Sequence, residues 1–171
     1  MYKGIKRFLD LILSLVAVVG LSWLLLIIAV AIKIEDGGNI LFKQKRIGFN
    51  KKEFYIYKFR TMKTTTPKDV PTHLLENPES YITAVGKFLR KSSLDELPQL
   101  FNIIKGEMSI VGPRPALWNQ FDLIAERDKY GANNVVPGLT GWAQVNGRDE
   151  LPIPVKSKYD GEYVEKMSFL F

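Results

Sequence analysis

The longest apolar stretch of the chain runs from Leu11 to Ile32, reads LILSLVAVVGLSWLLLIIAVAI and carries no charge. A helix of this length can cross the roughly 30 Å hydrocarbon layer of a bilayer. The run also exceeds the roughly 7–15 apolar residues of a cleaved signal peptide, and no clear small-x-small cleavage site follows it. We therefore predict an N-terminal membrane helix within residues 1–36, with residues 37–171 forming the rest of one domain.

Basic residues flank the apolar run on both sides. They are Lys3, Lys6 and Arg7 before it, and Lys33, Lys43, Lys45, Arg46, Lys51 and Lys52 after it. Since positive charge favours the cytoplasmic side of a membrane, both ends are expected on that side. A re-entrant helix that bends at Gly20-Leu21-Ser22-Trp23 satisfies both ends, because Gly and Ser are recognised kink residues. A plain single-pass anchor is the alternative that these residues leave open.

The pattern after the helix predicts a mixed fold. The segment NILFKQKRIGFNKKEFYIYKFRTM has two stretches rich in β-branched and aromatic residues around Gly48-Phe49-Asn50, which is typical of a β-hairpin. The Thr- and Pro-rich segment 62–79 predicts a surface loop. Two later helices each place their apolar residues on one face: Tyr81, Ile82, Val85, Phe88 and Leu89, then Leu117, Trp118, Phe121, Ile124 and Ala125.

These elements define the expected fold class, α/β in the α+β sense. We predict a re-entrant membrane helix, a small β-hairpin and several amphipathic interfacial helices in one compact membrane-associated domain. The 24 Lys and Arg residues exceed the 18 Asp and Glu residues, giving a net charge of +6. That charge suits an anionic partner, such as nucleic acid, a phospholipid surface or a phosphorylated substrate.

The absence of cysteine from the sequence excludes disulfides, thiolate metal sites and cysteine nucleophiles. The single histidine, His73, lies among Thr and Pro residues and is interpreted as a solvated loop residue. Any catalysis must therefore use carboxylates and cations. The first candidate is the adjacent pair Asp95-Glu96 in the segment SSLDELPQL.

Ser93-Leu94-Asp95-Glu96 matches a capping box, which is the structural alternative to a catalytic pair. Pro98 weakens that interpretation, because a helix capped at Ser93 would place proline where a backbone donor is needed. A helix that begins at Asp95 avoids this conflict and sets a carboxylate where bound phosphate is favoured. Adjacent carboxylates also commonly hold Mg²⁺ beside a substrate phosphate.

Several cations stand in settings that suit anion binding. Arg114 lies between Pro113 and Pro115, so its backbone has little freedom and the guanidinium can be aimed at an oxyanion. A structural turn with a solvated Arg is the alternative. Each of the other cations is more often a surface charge. Lys58 and Arg60 alternate along a predicted strand, and Arg90 lies shortly before the carboxylate pair.

The Gly-rich segment VPGLTGWAQVNGR predicts a loop whose backbone, Asn146 and Arg148 could grip a polar ligand. A tightly turning connection is the simpler alternative.

Three segments in this order after a basic-flanked membrane helix carry a resemblance: YKFRTM, SSLDELPQLFNIIKGEMSIVGPRP and PGLTGWAQVNGR. The chain resembles the bacterial sugar transferase family, and more narrowly the small monotopic phosphoglycosyl transferases. The match covers nearly the whole chain. The resemblance implies an enzyme of the bacterial cytoplasmic membrane whose catalytic region faces the cytoplasm, with membrane lipids as neighbours and no nucleic acid as partner. Homo-oligomerisation is compatible with it.

The implied reaction moves a phospho-sugar from a UDP-sugar to polyprenol phosphate and releases UMP. By this resemblance Asp95 is the nucleophile that forms a phospho-aspartyl intermediate, and Glu96 together with Asp95 binds Mg²⁺. Resemblance and local pattern together assign substrate binding to Lys58, Arg60, Arg90, Pro113, Arg114, Pro115, Asn146 and Arg148.

Two departures from the family pattern bear on the fold. Family members usually bend the membrane helix at a Ser-Pro pair, whereas Ser22 is followed here by Trp23. Related sequences also continue with an amphipathic segment beyond the position of Phe171. Two other functional classes remain as alternatives, a membrane-tethered Mg²⁺-dependent phosphohydrolase and a noncatalytic module that binds anionic lipid.

Overall fold

The structure is a computed structural model that describes residues 2–66, 77–147 and 150–168. Its helices are α1 (Tyr2–Gly20), α2 (Ser22–Asp36), α3 (Ala84–Ser92), α4 (Gln99–Lys105), α5 (Phe121–Asp128), α6 (Trp142–Val145) and α7 (Ile153–Lys166). Its strands are β1 (Leu41–Ile47), β2 (Glu53–Phe59), β3 (Ser109–Val111) and β4 (Gly138–Thr140). The mixture of helices and small sheets agrees with the predicted fold class. His73 lies outside the described residues.

The predicted bend in the apolar run is present. Helix α1 ends at Gly20, α2 begins at Ser22, and the pair is bent by 61°. Among the described helices, none is by itself long and apolar enough to cross a membrane, but α1 and α2 pass that test together as a bent pair. At the turn, the Leu21 N–H donates to the Ala17 carbonyl and the Leu21 carbonyl accepts from the Leu25 N–H, both at 2.9 Å, so the chain bends here without a proline.

Large apolar side chains on α1 and α2 are left exposed. Those more than half exposed are Phe8, Leu13, Val16, Val19, Trp23, Leu26, Ile27 and Ile34. Soluble proteins rarely expose so continuous an apolar surface. The exposure fits the prediction of a membrane segment, whose re-entrant placement stays a prediction.

The predicted hairpin is confirmed. Strands β1 and β2 form a two-stranded sheet, joined through a 3₁₀ turn at Phe49–Lys51. Asn50 and Lys51 both have positive φ there, at 51° and 59°. Asn is among the residues that tolerate this conformation, which explains why the turn occurs at the predicted place.

The chain divides into two compact units. The dyad unit consists of Ala17–Lys43 and Tyr57–Pro98 and contains the Asp95-Glu96 pair. The Pro-Arg-Pro unit consists of Met1–Val16, Gln44–Ile56 and Gln99–Phe171. The division into a membrane helix over 1–36 and a catalytic region over 37–171 stays a prediction.

The core of the dyad unit is built from α2, β2 and α3. Its buried residues are Ile28, Ile32, Phe59 and Leu89. Leu94 and Leu97, which flank the two carboxylates in sequence, pack against this core. Both leucines are partly buried, and their packing anchors the segment that carries Asp95 and Glu96, because an apolar side chain on either side of the pair contacts the core.

Helix α3 is shorter than the predicted amphipathic segment. Tyr81 belongs to a 3₁₀ turn and Ile82 forms an isolated bridge with Met62. Leu89 is buried, whereas Phe88 is exposed. The side chain of Thr83 accepts a hydrogen bond from the Gly86 N–H, which fixes the start of the helix.

The Pro-Arg-Pro unit contains a small parallel sheet. Strands β3 and β4 pair in register, with Ser109 opposite Gly138 and Val111 opposite Thr140. Helix α7 packs against α5 and α6. The segment between β3 and α5 carries Pro113-Arg114-Pro115, so the sheet and α5 hold its two ends. The second predicted helix begins at Phe121, so Leu117 and Trp118 lie before it.

Candidate active site

The two carboxylates lie on a 3₁₀ turn at Leu94–Glu96, between α3 and α4. Both predicted arrangements of this segment are wrong. Ser93 has a left-handed conformation, with φ 58° and ψ 16°, and its side chain caps nothing, so there is no capping box. The α-helix begins at Gln99 rather than at Asp95. Ser93 instead ends α3, which forces the chain into a separate turn before α4.

Asp95 and Glu96 share one cation. Lys58 Nζ lies 2.6 Å from Glu96 Oε1 and 3.9 Å from Asp95 Oδ2. The side chains are only partly accessible, with 13% of Asp95 and 18% each of Lys58 and Glu96 exposed. Ion pairs with so little solvent contact are screened less by salt than surface pairs. Strand β2 thus supplies the positive charge that pairs with the two carboxylates. The role of Lys58 in substrate binding stays a prediction.

Arg90 is held beside the pair by a second contact. Its Nε donates a hydrogen bond to Thr61 Oγ1 at 2.9 Å, and Thr61 is buried. The positive charge of Arg90 also acts favourably on the ionised form of Asp95. Thr61 was not predicted as a site residue, although it stands within the YKFRTM segment next to Arg60.

Burial raises the pKa of Asp95 above its ordinary value. The nearby Lys58 opposes that rise, the negative charge of Glu96 adds to it, and Arg90 again opposes it. A carboxylate that is poorly solvated is a better nucleophile once ionised, since less water must be removed before it attacks. Lys58 and Arg90 offset the cost of keeping that charge in a partly buried position.

The donor set at this turn fits a magnesium ion. Within residues 2–66, 77–147 and 150–168, no group of three or more His, Asp or Glu side chains is placed to hold a metal. Mg²⁺, however, is usually bound by one or two protein carboxylates, with substrate phosphates and water completing its shell. Asp95 and Glu96 are two such carboxylates, adjacent on one turn. Their binding of Mg²⁺ stays a prediction.

Arg60 lies in the dyad unit but contacts other groups. Its guanidinium donates to the carbonyl of Gly37 and pairs with Asp36 at 3.4 Å. Lys58 and Arg60 therefore differ in their contacts, although both were predicted to bind substrate. The role of Arg60 in substrate binding stays a prediction.

The remaining predicted residues belong to the Pro-Arg-Pro unit. Pro113 and Pro115 are buried and Arg114 is half-buried, in agreement with a stiff segment. Asn146 follows α6 and donates from its side chain to the Trp142 carbonyl at 2.9 Å. Arg148 lies outside the described residues. The substrate-binding roles of these residues stay predictions.

A family model described as bacterial sugar transferase matches residues 1–171. The chain is 37% identical over 179 residues to the exopolysaccharide production protein ExoY of Sinorhizobium fredii, covering 96% of this chain and 79% of that protein. Two other relatives are named UDP-glucose:undecaprenyl-phosphate glucose-1-phosphate transferase. The one from Xanthomonas campestris pv. campestris is 41% identical over 170 residues, covering 95% of this chain and 35% of the relative.

The second of these, from Escherichia coli, is 37% identical over 180 residues, covering 98% of this chain and 37% of the relative. The chain thus spans about four fifths of one relative (79%) and about a third of the other two (35% and 37%). With a family match along its whole length and the carboxylate pair, Lys58 and Arg90 gathered in one unit, the chain belongs to the bacterial sugar transferase family.

Proposed function

We propose that this protein transfers a phospho-sugar from a UDP-sugar to polyprenol phosphate, with Asp95 as the nucleophile. The observation that carries the proposal is the partly buried Asp95, beside Glu96 and the charges of Lys58 and Arg90. The relatives add the substrate class, since two of them are named as transferases of glucose 1-phosphate from UDP-glucose to undecaprenyl phosphate.

In the first step a carboxylate oxygen of Asp95 attacks the sugar-bearing phosphorus of the UDP-sugar. The bond from that phosphorus to the bridging oxygen breaks, and UMP leaves with the bond's electron pair. The product is an acyl phosphate that carries the sugar on Asp95. Covalent catalysis of this kind divides one difficult displacement into two easier ones and requires neither His nor Cys.

In the second step a phosphate oxygen of polyprenol phosphate attacks the same phosphorus. The bond to Asp95 breaks, the carboxylate is restored, and the product is a polyprenyl-diphosphate-linked sugar. Both steps bring an anion to a phosphate, so repulsion must be offset. Lys58 and Arg90 provide positive charge beside Asp95 for this purpose. Mg²⁺ bound by Asp95 and Glu96 would supply further neutralisation of the diphosphate charge.

We further propose that the N-terminal helix pair enters and leaves the cytoplasmic face of the membrane. Support comes from contacts made near the start of α1 within the Pro-Arg-Pro unit. Asp10 accepts hydrogen bonds from Ser109 Oγ at 2.7 Å and from the Ile110 N–H at 3.1 Å. Arg7 donates to the Ile104 carbonyl at 2.8 Å. A helix whose first turns contact residues 104–110 begins on the same side of the membrane as those residues.

The reaction is tested by incubating the purified protein with undecaprenyl phosphate, Mg²⁺ and a panel of UDP-sugars. We expect release of UMP and formation of a lipid-linked diphosphate sugar with at least one donor. With UDP-sugar alone, rapid-quench mass spectrometry should find one phospho-sugar added to Asp95. Sugar phosphate released to water at the same rate without lipid acceptor would instead indicate a phosphohydrolase. Binding of anionic vesicles without turnover of any donor would indicate a noncatalytic module.

The role of Glu96 in metal binding has its own test. Glu96→Gln removes a negative charge but keeps the side chain's size, so we expect about a 10–100-fold higher Mg²⁺ concentration for half-maximal rate. Glu53→Gln is the matched control, because Glu53 pairs with Lys45 at the surface. An unchanged Mg²⁺ titration for Glu96→Gln would remove this residue from the metal site.

The membrane placement is tested with single cysteines in a chain that has none of its own. Lys3 and Lys52 are both exposed and suit the purpose. In intact inverted vesicles, a membrane-impermeant maleimide should label both positions. Labelling of Lys3→Cys and Lys52→Cys from opposite faces would contradict the re-entrant placement and would leave the assignment of Asp95 unaffected.

A further inference from the structure

The backbone of Pro113-Arg114-Pro115 is held at consecutive carbonyl groups. Two of the bonds come from neighbouring main chain. The Gly138 N–H donates to the Pro113 carbonyl at 2.9 Å, and the Ile47 N–H donates to the Ala116 carbonyl at 2.9 Å. The two ends of the segment are therefore tied to β4 and β1.

The carbonyls between these ends are held by arginine side chains. Arg127 Nη1 donates to the Arg114 carbonyl at 2.9 Å, and Arg46 Nη1 donates to the Pro115 carbonyl at 3.0 Å. Proline has no N–H, so Pro113 and Pro115 cannot add donors of their own to a regular structure. Hydrogen bonds to the carbonyls thus provide the restraint that secondary structure would otherwise give.

Arg127 is itself fixed by Asp160. The guanidinium meets the carboxylate with two nitrogens, Nε at 2.8 Å and Nη2 at 2.6 Å from Oδ2. Only 4% of the Arg127 side chain and 1% of the Asp160 side chain are exposed. The planar guanidinium can serve Asp160 and the Arg114 carbonyl at once, which a lysine ammonium on its flexible stem cannot reproduce.

A buried pair of this kind is not explained by stability alone. Replacement of a buried ion pair by apolar residues of similar size is often neutral or stabilising, because desolvation offsets the attraction. What an apolar pair cannot do is hold the main chain at Arg114. Apolar residues could therefore replace the packing of this pair but not the hydrogen bond from Arg127 to the Arg114 carbonyl.

We propose that Arg127 and Asp160 are positioning residues, which fix the backbone at Arg114 and thereby aim its guanidinium at the phosphates of the substrate. This inference rests on the proposed function. Arg127 and Asp160 touch no substrate in this scheme and act only through Arg114. Arg127 reaches the segment from α5, and Asp160 supports it from α7.

The principal test is the double variant Arg127→Met/Asp160→Asn, which removes both charges and leaves no lone ion in the interior. We expect kcat/KM for the UDP-sugar to fall about 10–100-fold, since small displacements of a positioned group have effects of that order. Lys51→Met/Asp128→Asn is the matched control. This control also removes one positive and one negative charge, but from an exposed ion pair whose atoms lie 2.6 Å apart. Asp128 directly follows Arg127 in α5, and activity should be unchanged.

To separate a positioning role from a general structural role, Arg114→Ala is added to the double variant and kcat/KM is measured again. If Arg127 acts through Arg114, the triple variant should be no less active than Arg114→Ala alone, because effects that share one group are not additive. If the loss of activity in the triple variant equals the product of the losses in the double variant and in Arg114→Ala, the proposal is overturned. If the double variant fails to fold, Arg127→Lys takes its place in the same cycle, and wild-type activity in a folded Arg127→Lys protein would also overturn it.

Hydrogen exchange provides a readout that does not depend on the reaction. The segment containing Arg114 and Ala116 should exchange faster in Arg127→Lys than in the wild type, while α3 should be unchanged. Faster exchange in Arg127→Lys without loss of transfer would refute the positioning role but would leave the proposed function standing. Absence of transfer by the wild type would refute the proposed function, and the exchange result would still report whether Arg127 restrains the segment.

Discussion

The dyad turn and the Pro-Arg-Pro segment are restrained in different ways. At the dyad turn, a side-chain cation contacts the carboxylates directly, with Lys58 Nζ 2.6 Å from Glu96 and 3.9 Å from Asp95. In the Pro-Arg-Pro segment, the contacts from Gly138, Arg46 and Arg127 act on main-chain carbonyls. The first arrangement adjusts the charge of reactive groups, and the second fixes the position of the backbone.

The difference follows from what each region is proposed to do. A nucleophile must be ionised yet poorly hydrated, so its energetics depend on the charges around it. An arginine is always charged, so how well it binds phosphate depends on the position in which its guanidinium is held. We therefore expect substitutions at the dyad turn to change pH dependence and substitutions around Arg114 to change activity without such a change.

Asp95→Asn is expected to have the largest effect on activity. The amide cannot attack phosphorus, so transfer should fall by at least about 10³-fold, as for other removed nucleophiles. The covalent phospho-sugar adduct should be absent from the mass spectrum. Near-normal turnover by this variant would exclude Asp95 as the nucleophile.

The same substitution should not lower stability at neutral pH. Because burial raises the pKa of Asp95 in the folded protein, ionisation opposes folding at pH values above that folded-state pKa. This cost disappears below the pKa of the unfolded chain, where Asp95 is protonated in both states. We expect Asp95→Asn to melt at or above the wild-type temperature at pH 7, with the difference shrinking on acidification. A marked loss of stability at pH 7 would assign Asp95 a structural role.

Lys58→Met comes next, with an expected loss of about 10²-fold in kcat/KM, because an electrostatic contact to the reacting group is removed. Lys58 holds the pKa of Asp95 down, so its removal should raise that pKa further. The acidic limb of the kcat/KM profile should then move to higher pH. Lys58→Arg keeps the charge and should retain most of the activity. An acidic limb that does not move would separate Lys58 from the ionisation of Asp95.

Thr61→Val is expected to cost about 10-fold in kcat/KM, the scale of one lost hydrogen bond to a charged group. The change keeps the side chain's shape and removes the hydroxyl that accepts from Arg90 Nε at 2.9 Å. Thr61→Ser keeps the hydroxyl and should stay within a few-fold of wild type. Equal losses in both variants would point to packing of the buried methyl group rather than to the placement of Arg90.

The sequence predicted those features that are encoded locally. The apolar run, the hairpin turn at Gly48–Asn50, the carboxylate pair and the prolines around Arg114 are each visible within a few residues. The capping box was wrong because Ser93 adopts a left-handed conformation that ends α3. On either side of Ser93, Leu89 is buried and Leu94 packs against the same core, a tertiary contact that a four-residue motif cannot reveal.

Features that depend on distant pairs could not be predicted. Arg127 and Asp160 are 33 positions apart, and each alone looks like an ordinary helix charge. The contact of Arg90 with Thr61 spans 29 positions and requires β2 and α3 to be brought together first. No spacing rule joins such residues, because their proximity is produced by packing of the apolar faces around them.

The smallest effect on activity is expected at Arg60, on the same strand region as Lys58. Arg60 donates to the Gly37 carbonyl and lies 3.4 Å from Asp36, so its contacts are at the end of α2. Only 12% of the side chain is exposed. Loss of these bonds should therefore lower the free energy of unfolding, by about 1.5–3 kcal/mol on the usual scale of hydrogen bonds to charged groups.

We expect Arg60→Met to lower the melting temperature by about 3–12 °C, on the basis of a shift of ~2–4 °C per kcal/mol for a chain of this size. The KM for the UDP-sugar, measured below the melting transition, should change less than about 3-fold, since no transition-state contact is removed. Lys87→Met, at an exposed position of α3, is the control for loss of one positive charge. A large rise in KM at unchanged melting temperature would instead support the predicted role of Arg60 in substrate binding and would show that its contacts with Asp36 and Gly37 break when substrate binds.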